Sequence, residues 1–255
     1  MVIFSKCFII QYKYYILEIM FEYINIKLAK TKGSKKLRKL IRKFKNFFGE
    51  KDPGALDFKF STKPSRLFIV QSFINKKKFN SYLEIGTFDN ELFDHIKCKN
   101  KVGVDPFSGG THRMTSDEFF LQNRDKFDCI FIDGLHHYDQ VKRDINNSLK
   151  FINDQGIVLV HDCLPENIEA QSVPRTITNW NGDVWKAFAE IRANPNLNSY
   201  TCLADHGIGV IFKSSNKKPF NFKIKNFKKL KFLDYYKNHY EMMNIIEYED
   251  LIKII

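Results

Sequence analysis

The stretch FIDGLHHYDQVKRDI, residues 131–145, changes character twice over a short span. An apolar run stops at Asp133 and His136 and His137 follow a turn. Apolar positions then recur at helical spacing as Val141, Ile145, Leu149 and Ile152. A short apolar run bounded by a turn and followed by an amphipathic helix reads as a buried strand feeding a helix that packs back on a sheet.

Working outward, the same unit recurs. PSRLFIVQSFINKKKF (64–79) reads as a helix, SYLEIG (81–86) as a strand, NELFDHI (90–96) as a short helix and KVGVDP (101–106) as a strand. DEFFLQNRDKF (117–127) reads as a helix, DCIFID (128–133) as a strand and GIVLVHD (156–162) as another. Strands alternating with helices imply βαβ units and a parallel sheet. After a polar loop at 164–181 come the helix DVWKAFAEIR (183–192) and two apolar runs split around His206 and Gly207, which read as a closing antiparallel hairpin. The expected fold class is α/β, a Rossmann-like doubly wound and mostly parallel sheet with an antiparallel closing strand. Three regions follow: a basic, apolar helical extension at 1–50, the α/β domain at 51–213, and a Lys-rich C-terminal appendage at 214–255.

The net charge of +12 resides at the ends of the chain. Residues 1–50 hold 12 Lys and Arg against 3 acids, and residues 213–233 hold 8 Lys and no acid, whereas 51–212 hold 19 basic against 21 acidic residues. A nucleic-acid face needs Lys and Arg gathered on the working surface, so this distribution argues against nucleic acid as the partner of the central fold. Five cysteines without a C-x-x-C pair point to reduced thiols and a cytoplasmic protein. The apolar N-terminal stretch is interrupted by Lys6, Lys13, Glu18 and Glu22, short of the roughly 18–20 apolar residues of a spanning helix, and Met20 is a second candidate start. KKLRKLIRKFKNFF (35–48) reads as a basic amphipathic helix; it suits peripheral attachment to an anionic membrane, or packing on the domain with its lysines solvated.

In an open parallel sheet the ligand lies outside the carboxyl ends of the strands, where strand order reverses. Those ends carry Glu84 and Gly86, Asp105, Asp133, and His161 with Asp162. Asp105 follows Glu84 at the distance at which an acid reaches a ribose hydroxyl, so a nucleoside ligand is expected. In the first loop Phe88 and Asp89 crowd the place a pyrophosphate would take and add negative charge, which suits a cationic cofactor.

With those residues in view, the chain resembles the class I S-adenosylmethionine-dependent methyltransferases. It resembles more narrowly the metal-dependent branch acting on sugars, macrolide sugars and polysaccharides. The resemblance rests on YLEIGTFDN (82–90), KVGVDP, TSDEFF (115–120), FIDGLHHYDQVKRDI, GIVLVHDCLP (156–165), GDVWKAFAEIR (182–192) and HGIGVIF (206–212), and spans roughly residues 64–213. It implies that Glu84 and Gly86 hold the methionine and ribose end of the cofactor, that Asp105 takes the ribose hydroxyls, and that Ser116 and Asp117 lie near the adenine. Ser116 and Asp117 read equally well as a helix cap. Where the family commonly has a later glycine this chain has Asn90, the non-glycine residue best suited to a left-handed backbone.

The resemblance further implies a divalent cation, Mg²⁺ by the hardness of the ligands, held by Asp133 and Asp162 with His161 or Cys163 adjacent. His136 has the reach and the ordinary pKa of a general base, with His137 as second candidate. Helix or turn capping by the two aspartates and partial burial of the histidines is the competing reading. Trp180 suits stacking on a sugar, while Trp185 on its helical face reads as core. The function expected is O-methylation of a sugar or glycan hydroxyl. The alternatives are a catechol-type small-molecule acceptor, a non-catalytic cofactor-binding or membrane-attached protein, and a nucleic-acid methyltransferase. The oligomeric state stays open, a homo-oligomer included.

Overall fold

The computed structural model describes residues 50–255, so the basic helix read at 35–48 lies outside the described residues. Seven strands form one sheet in the order β2-β1-β3-β4-β6-β5-β7. They are β1 (Ser81–Ile85), β2 (Asn100–Val104), β3 (Phe127–Ile132), β4 (Ile152–Val160), β5 (Asn198–Cys202), β6 (Ile208–Phe212) and β7 (Ile245–Ile246). The first four run parallel, whereas β6 is antiparallel to both β4 and β5. The Rossmann-like sheet with an antiparallel closing strand is thus the observed architecture.

Side-chain alternation decides which face each strand residue serves. Leu83, Ile85, Ile130, Ile132, Val158 and Val160 point into one core, and Tyr82, Cys129, Phe131, Ile157 and Leu159 into the other. The first core is covered by helices α2 (Ser116–Gln122), α3 (Tyr138–Phe151) and α4 (Val184–Arg192); the second is covered by α1 (Arg66–Lys77). In α3 Val141 and Ile145 are buried and Leu149 packs against them, but Ile152 already opens β4. Trp185 is fully buried in α4. Helix α5 (Phe232–Met243) adds Phe232, Tyr235, Met242 and Met243 to the first core, β7 pairs with β5, and α6 (Tyr248–Ile254) places Leu251 in the second.

Two local expectations are corrected. NELFDHI forms a succession of turns, because the Asn90 backbone is left-handed (φ 65°) and the following hydrogen bonds alternate between i+3 and i+4 spacing. Helix α2 stops at Gln122, where Asn123 is extended and its side chain accepts the Asp125 N–H at 3.2 Å. No helix among the described residues is long and apolar enough to cross a membrane.

Strand order reverses between β1 and β3, since the chain leaves β1 for β2 on one side and returns to β3 on the other. The two strand ends touch there. The Asp133 N–H donates to the Ile85 carbonyl at 2.8 Å, and Gly86 has φ +89°. A Cβ at Gly86 would sit 2.2 Å from the Asp133 carbonyl oxygen, so glycine is required for the close approach.

Candidate functional site

A cavity of about 490 Å³ opens at this reversal, over the carboxyl ends of β1 to β4. Of the residues singled out in the sequence, Glu84, Gly86, Asp105, Ser116, Asp133, His136, His161 and Asp162 line it together. Asn90, Asp117 and His137 are not among its lining residues. The Asn90 side chain accepts the Gly110 N–H at 2.7 Å and shapes the first loop from behind; Asp117 pairs with Arg143 at 3.4 Å; His137 is the N-cap residue of α3.

At the β1–β2 end, the Asp105 carboxylate ties two loops together. One oxygen accepts the Phe88 N–H at 2.9 Å and the other accepts those of Phe107 and Ser108 at 2.8 and 2.9 Å. Glu84 is 2 % exposed and accepts the Tyr82 hydroxyl at 2.6 Å. Burial pushes its pKa up to about 8, the nearby Asp133 charge adds to the rise, and the Tyr82 bond opposes it. Ser116 donates to Asp144 at 2.6 Å, and Gln140 donates to both. Burial raises Asp144 to about 7. The cap of α2 is Thr115, in a capping box with Glu118, so Ser116 and Asp117 are not the cap.

At the β3–β4 end the titratable groups interlock. The His136 Nε2 lies 3.2 Å from Asp133 Oδ1, and its Nδ1 lies 3.2 Å from both Asp162 Oδ2 and the Trp180 carbonyl oxygen. The His161 Nδ1 is 3.2 Å from Asp133 Oδ1 and 3.5 Å from Asp162 Oδ2. Burial would push Asp133 up, but the charge of His161 and the bonds from both imidazoles hold it well below the usual carboxylate range. Burial would lower both histidines; the carboxylates overcome it, so His136 is raised and His161 is raised strongly. Asp162 reaches this position with a left-handed backbone, φ 63°, and Asn181 donates to its Oδ1 at 2.8 Å.

Asp133, His136 and Asp162 each offer one ligand atom, all within 4.8 Å of one another. Two hard carboxylate oxygens and an imidazole nitrogen fit a divalent cation such as Mg²⁺ or Mn²⁺. In this donor set His136 stands where the sequence reading put His161.

Sequence reasoning missed Arg66, Asp205, Tyr82, Asp144 and Asn181. Arg66 donates to Asp133 Oδ2 at 3.4 Å and to Glu91 at 3.3 Å, and its backbone N–H donates to Asp205 at 2.6 Å. The serine before it is a recognisable N-cap, yet nothing in the spacing ties that helix start to the site. Asp144 and Tyr82 sit inside apolar-periodic segments, where a polar side chain carries no local signal.

The strand order, the reversal-point cavity and its acidic strand ends define a Rossmann-like domain of the nucleoside-binding kind. Residues 78–163 match the family model described as a methyltransferase domain, and that match supports an S-adenosylmethionine-dependent methyltransferase. No curated protein matches the chain. Among solved structures it is similar to the SAH-bound methyltransferase PaMTH1 of Podospora anserina, with TM-score 0.45, 14 % identity, and coverage of 61 % of this chain and 81 % of that one. It is also similar to a caffeoyl-CoA O-methyltransferase from Staphylococcus aureus, so described in its structure report, with TM-score 0.45, 13 % identity, and coverage of 78 % and 100 %. An O-methyltransferase from Bacillus cereus in complex with SAH shows TM-score 0.42, 13 % identity, and coverage of 75 % and 96 %. Identities this low give no acceptor.

Proposed function

We propose that the chain transfers the methyl group of S-adenosylmethionine to a hydroxyl of a sugar or glycan. The observation that carries this reading is one cavity with two chemically distinct ends. Glu84, Gly86, Asp105 and Ser116 at one end suit the cofactor, and the Asp133, His136 and Asp162 cluster at the other suits an acceptor hydroxyl. The Trp180 indole beside that cluster adds an aromatic surface on which a sugar ring can stack.

In the reaction the acceptor oxygen attacks the methyl carbon in line with the departing sulfur, the sulfonium becomes a thioether, and the hydroxyl proton passes to a base. Holding oxygen and methyl in that alignment supplies a large part of the rate. Asp133 and Asp162 would hold a divalent cation; when bound it supplies the Lewis acidity that lowers the pKa of the hydroxyl. His136 is the more exposed of the two cavity imidazoles and serves as the base if the cation is held by the carboxylates alone. A second reading, favoured by the closeness of the three donor atoms, makes His136 itself a ligand.

The test is calorimetry with S-adenosylhomocysteine, followed by transfer of labelled methyl to methyl glycosides and to catechol, with Mg²⁺ or with a chelator. Cofactor-product binding and Mg²⁺-dependent labelling of glycosides is expected. Preference for catechol would move the acceptor to a small aromatic hydroxyl. Full labelling under chelation that His136→Ala abolishes would make His136 a base in a metal-free reaction.

A further inference from the structure

We propose that Asp205, at the tip of the β5–β6 hairpin, is a positioning residue that holds His161 and Arg66 against Asp133 and so sets the affinity of the cluster for a divalent cation. This rests on the reading of Asp133, His136 and Asp162 as a cation site.

Three consecutive residues at that tip have left-handed backbone: Asp205 at φ 38°, His206 at 60° and Gly207 at 90°. Two are not glycine, and such strained positions persist only where the surroundings impose them. The surroundings do so here. The Leu164 N–H donates to the His206 carbonyl at 2.8 Å, the Cys163 N–H to the Gly207 carbonyl at 2.9 Å, and the Gly207 N–H back to Ala204 at 2.7 Å. The hairpin tip is thereby bonded to the segment that leaves β4 immediately after Asp162.

What the strained turn achieves is the placement of one carboxylate. Asp205 Oδ1 lies 3.2 Å from His161 Nε2, and its Oδ2 accepts the Arg66 backbone N–H at 2.6 Å. Both of those residues then reach the same group. The other nitrogen of His161 is 3.2 Å from Asp133 Oδ1, and the Arg66 guanidinium is 3.4 Å from Asp133 Oδ2. Asp205 is not itself among the lining residues of the cavity, so it acts on an acceptor or a cation only through these neighbours. An imidazole bonded to a carboxylate through one nitrogen has the direction of the other fixed, and direct partners of ligating groups, the place His161 takes beside Asp133, are worth about 10–100-fold in metal affinity. His161 is 4 % exposed, so loss of Asp205 leaves its Nε2 without water to replace the bond.

The test uses the full-length chain with Asp205→Asn, because asparagine tolerates the left-handed backbone. Mn²⁺ affinity is read from the paramagnetic resonance signal of the free ion, and S-adenosylhomocysteine affinity by calorimetry. The variant should bind Mn²⁺ about 10–100-fold more weakly and the cofactor product unchanged, while His206→Asn, which keeps the carboxylate, retains Mn²⁺ affinity. Wild-type Mn²⁺ affinity in Asp205→Asn overturns the proposal, as does an equal loss in His206→Asn or a wild-type chain that binds the cofactor product but no Mn²⁺. A wild-type chain that fails to bind the cofactor product would instead sink the methyltransferase reading. Should Asp205→Asn fail to fold, Asp205→Glu is expected to regain part of the Mn²⁺ affinity relative to Asp205→Ala, and equal loss in both counts against the role.

Discussion

The imidazole of His136 lies face to face with the indole of Trp180, their centroids 5.1 Å apart and their planes inclined by 19°. The indole is fixed in turn by its N–H donating to the Ser172 carbonyl at 2.5 Å, with the Arg175 guanidinium 5.6 Å from the ring. A loop far along the chain therefore sets the tilt of the ring that bonds both cluster aspartates. Such a pair is worth about 1 kcal/mol beyond area burial. Trp180→Ala should weaken Mn²⁺ binding or turnover by roughly fivefold with unchanged affinity for the cofactor product, and Trp180→Phe should restore most of it. Unchanged behaviour of the alanine variant would mean that the stack does not position His136.

Gly86→Ala tests the contact between β1 and β3. Its Cβ would meet the Asp133 carbonyl oxygen at 2.2 Å from a backbone at φ +89°. Destabilisation of at least about 2 kcal/mol is expected from steric overlap and left-handed strain together, with loss of cofactor-product binding. Urea unfolding and calorimetry check both.

Glu84 makes stability depend on pH in a defined direction. Burial first, and then Asp133, raise its folded pKa from 4.5 to about 8. Between those values the folded state holds a proton that the unfolded chain has lost, so this group's contribution to stability falls as pH rises. Glu84→Gln removes that dependence. Its unfolding free energy relative to wild type should rise by about 2–4 kcal/mol between pH 5 and pH 9, by linkage. Denaturant titrations at the two pH values measure it, and parallel curves would show that Glu84 ionises normally.

Arg66 and Arg175 are the permanently charged cations among the cavity-lining residues, and Arg66 is the one that reaches the loop after Gly86, through Glu91. Its guanidinium donates to Asp133 and Glu91, and Arg66→Ala tests whether it also meets the carboxylate of the cofactor's amino-acid end. Arg66→Ala should weaken S-adenosylhomocysteine by about tenfold, in line with a charge-assisted hydrogen bond, and leave 5′-methylthioadenosine, which lacks that carboxylate, unaffected. Equal loss for both ligands would assign Arg66 to fold maintenance instead.

Local pattern was enough for the parts of the molecule that local physics dictates. The short apolar runs of β1, β3 and β4 and the helical period of α3 produced the sheet and its helices, and the rule for open parallel sheets brought Glu84, Asp105, Asp133, His136 and Asp162 to one cavity. NELFDHI failed as a helix because a left-handed Asn90 and tertiary bonds outweighed its spacing. The two adjacent histidines were legible as chemistry but not as geometry: they leave a helix start in different directions, and of the pair it is His136 that faces the aspartates.

The sequence by itself determined the α/β class, the strand ends that carry acids and the positions of Gly86 and Asp133, because propensity, side-chain period and turn chemistry act over a few residues. Only the tertiary structure decided that Asp205, His161 and Arg66 converge on Asp133, and that Trp180 covers His136. Those contacts join segments separated by tens of residues, and their energies come from burial and charge pairing that exist only once the strands are side by side.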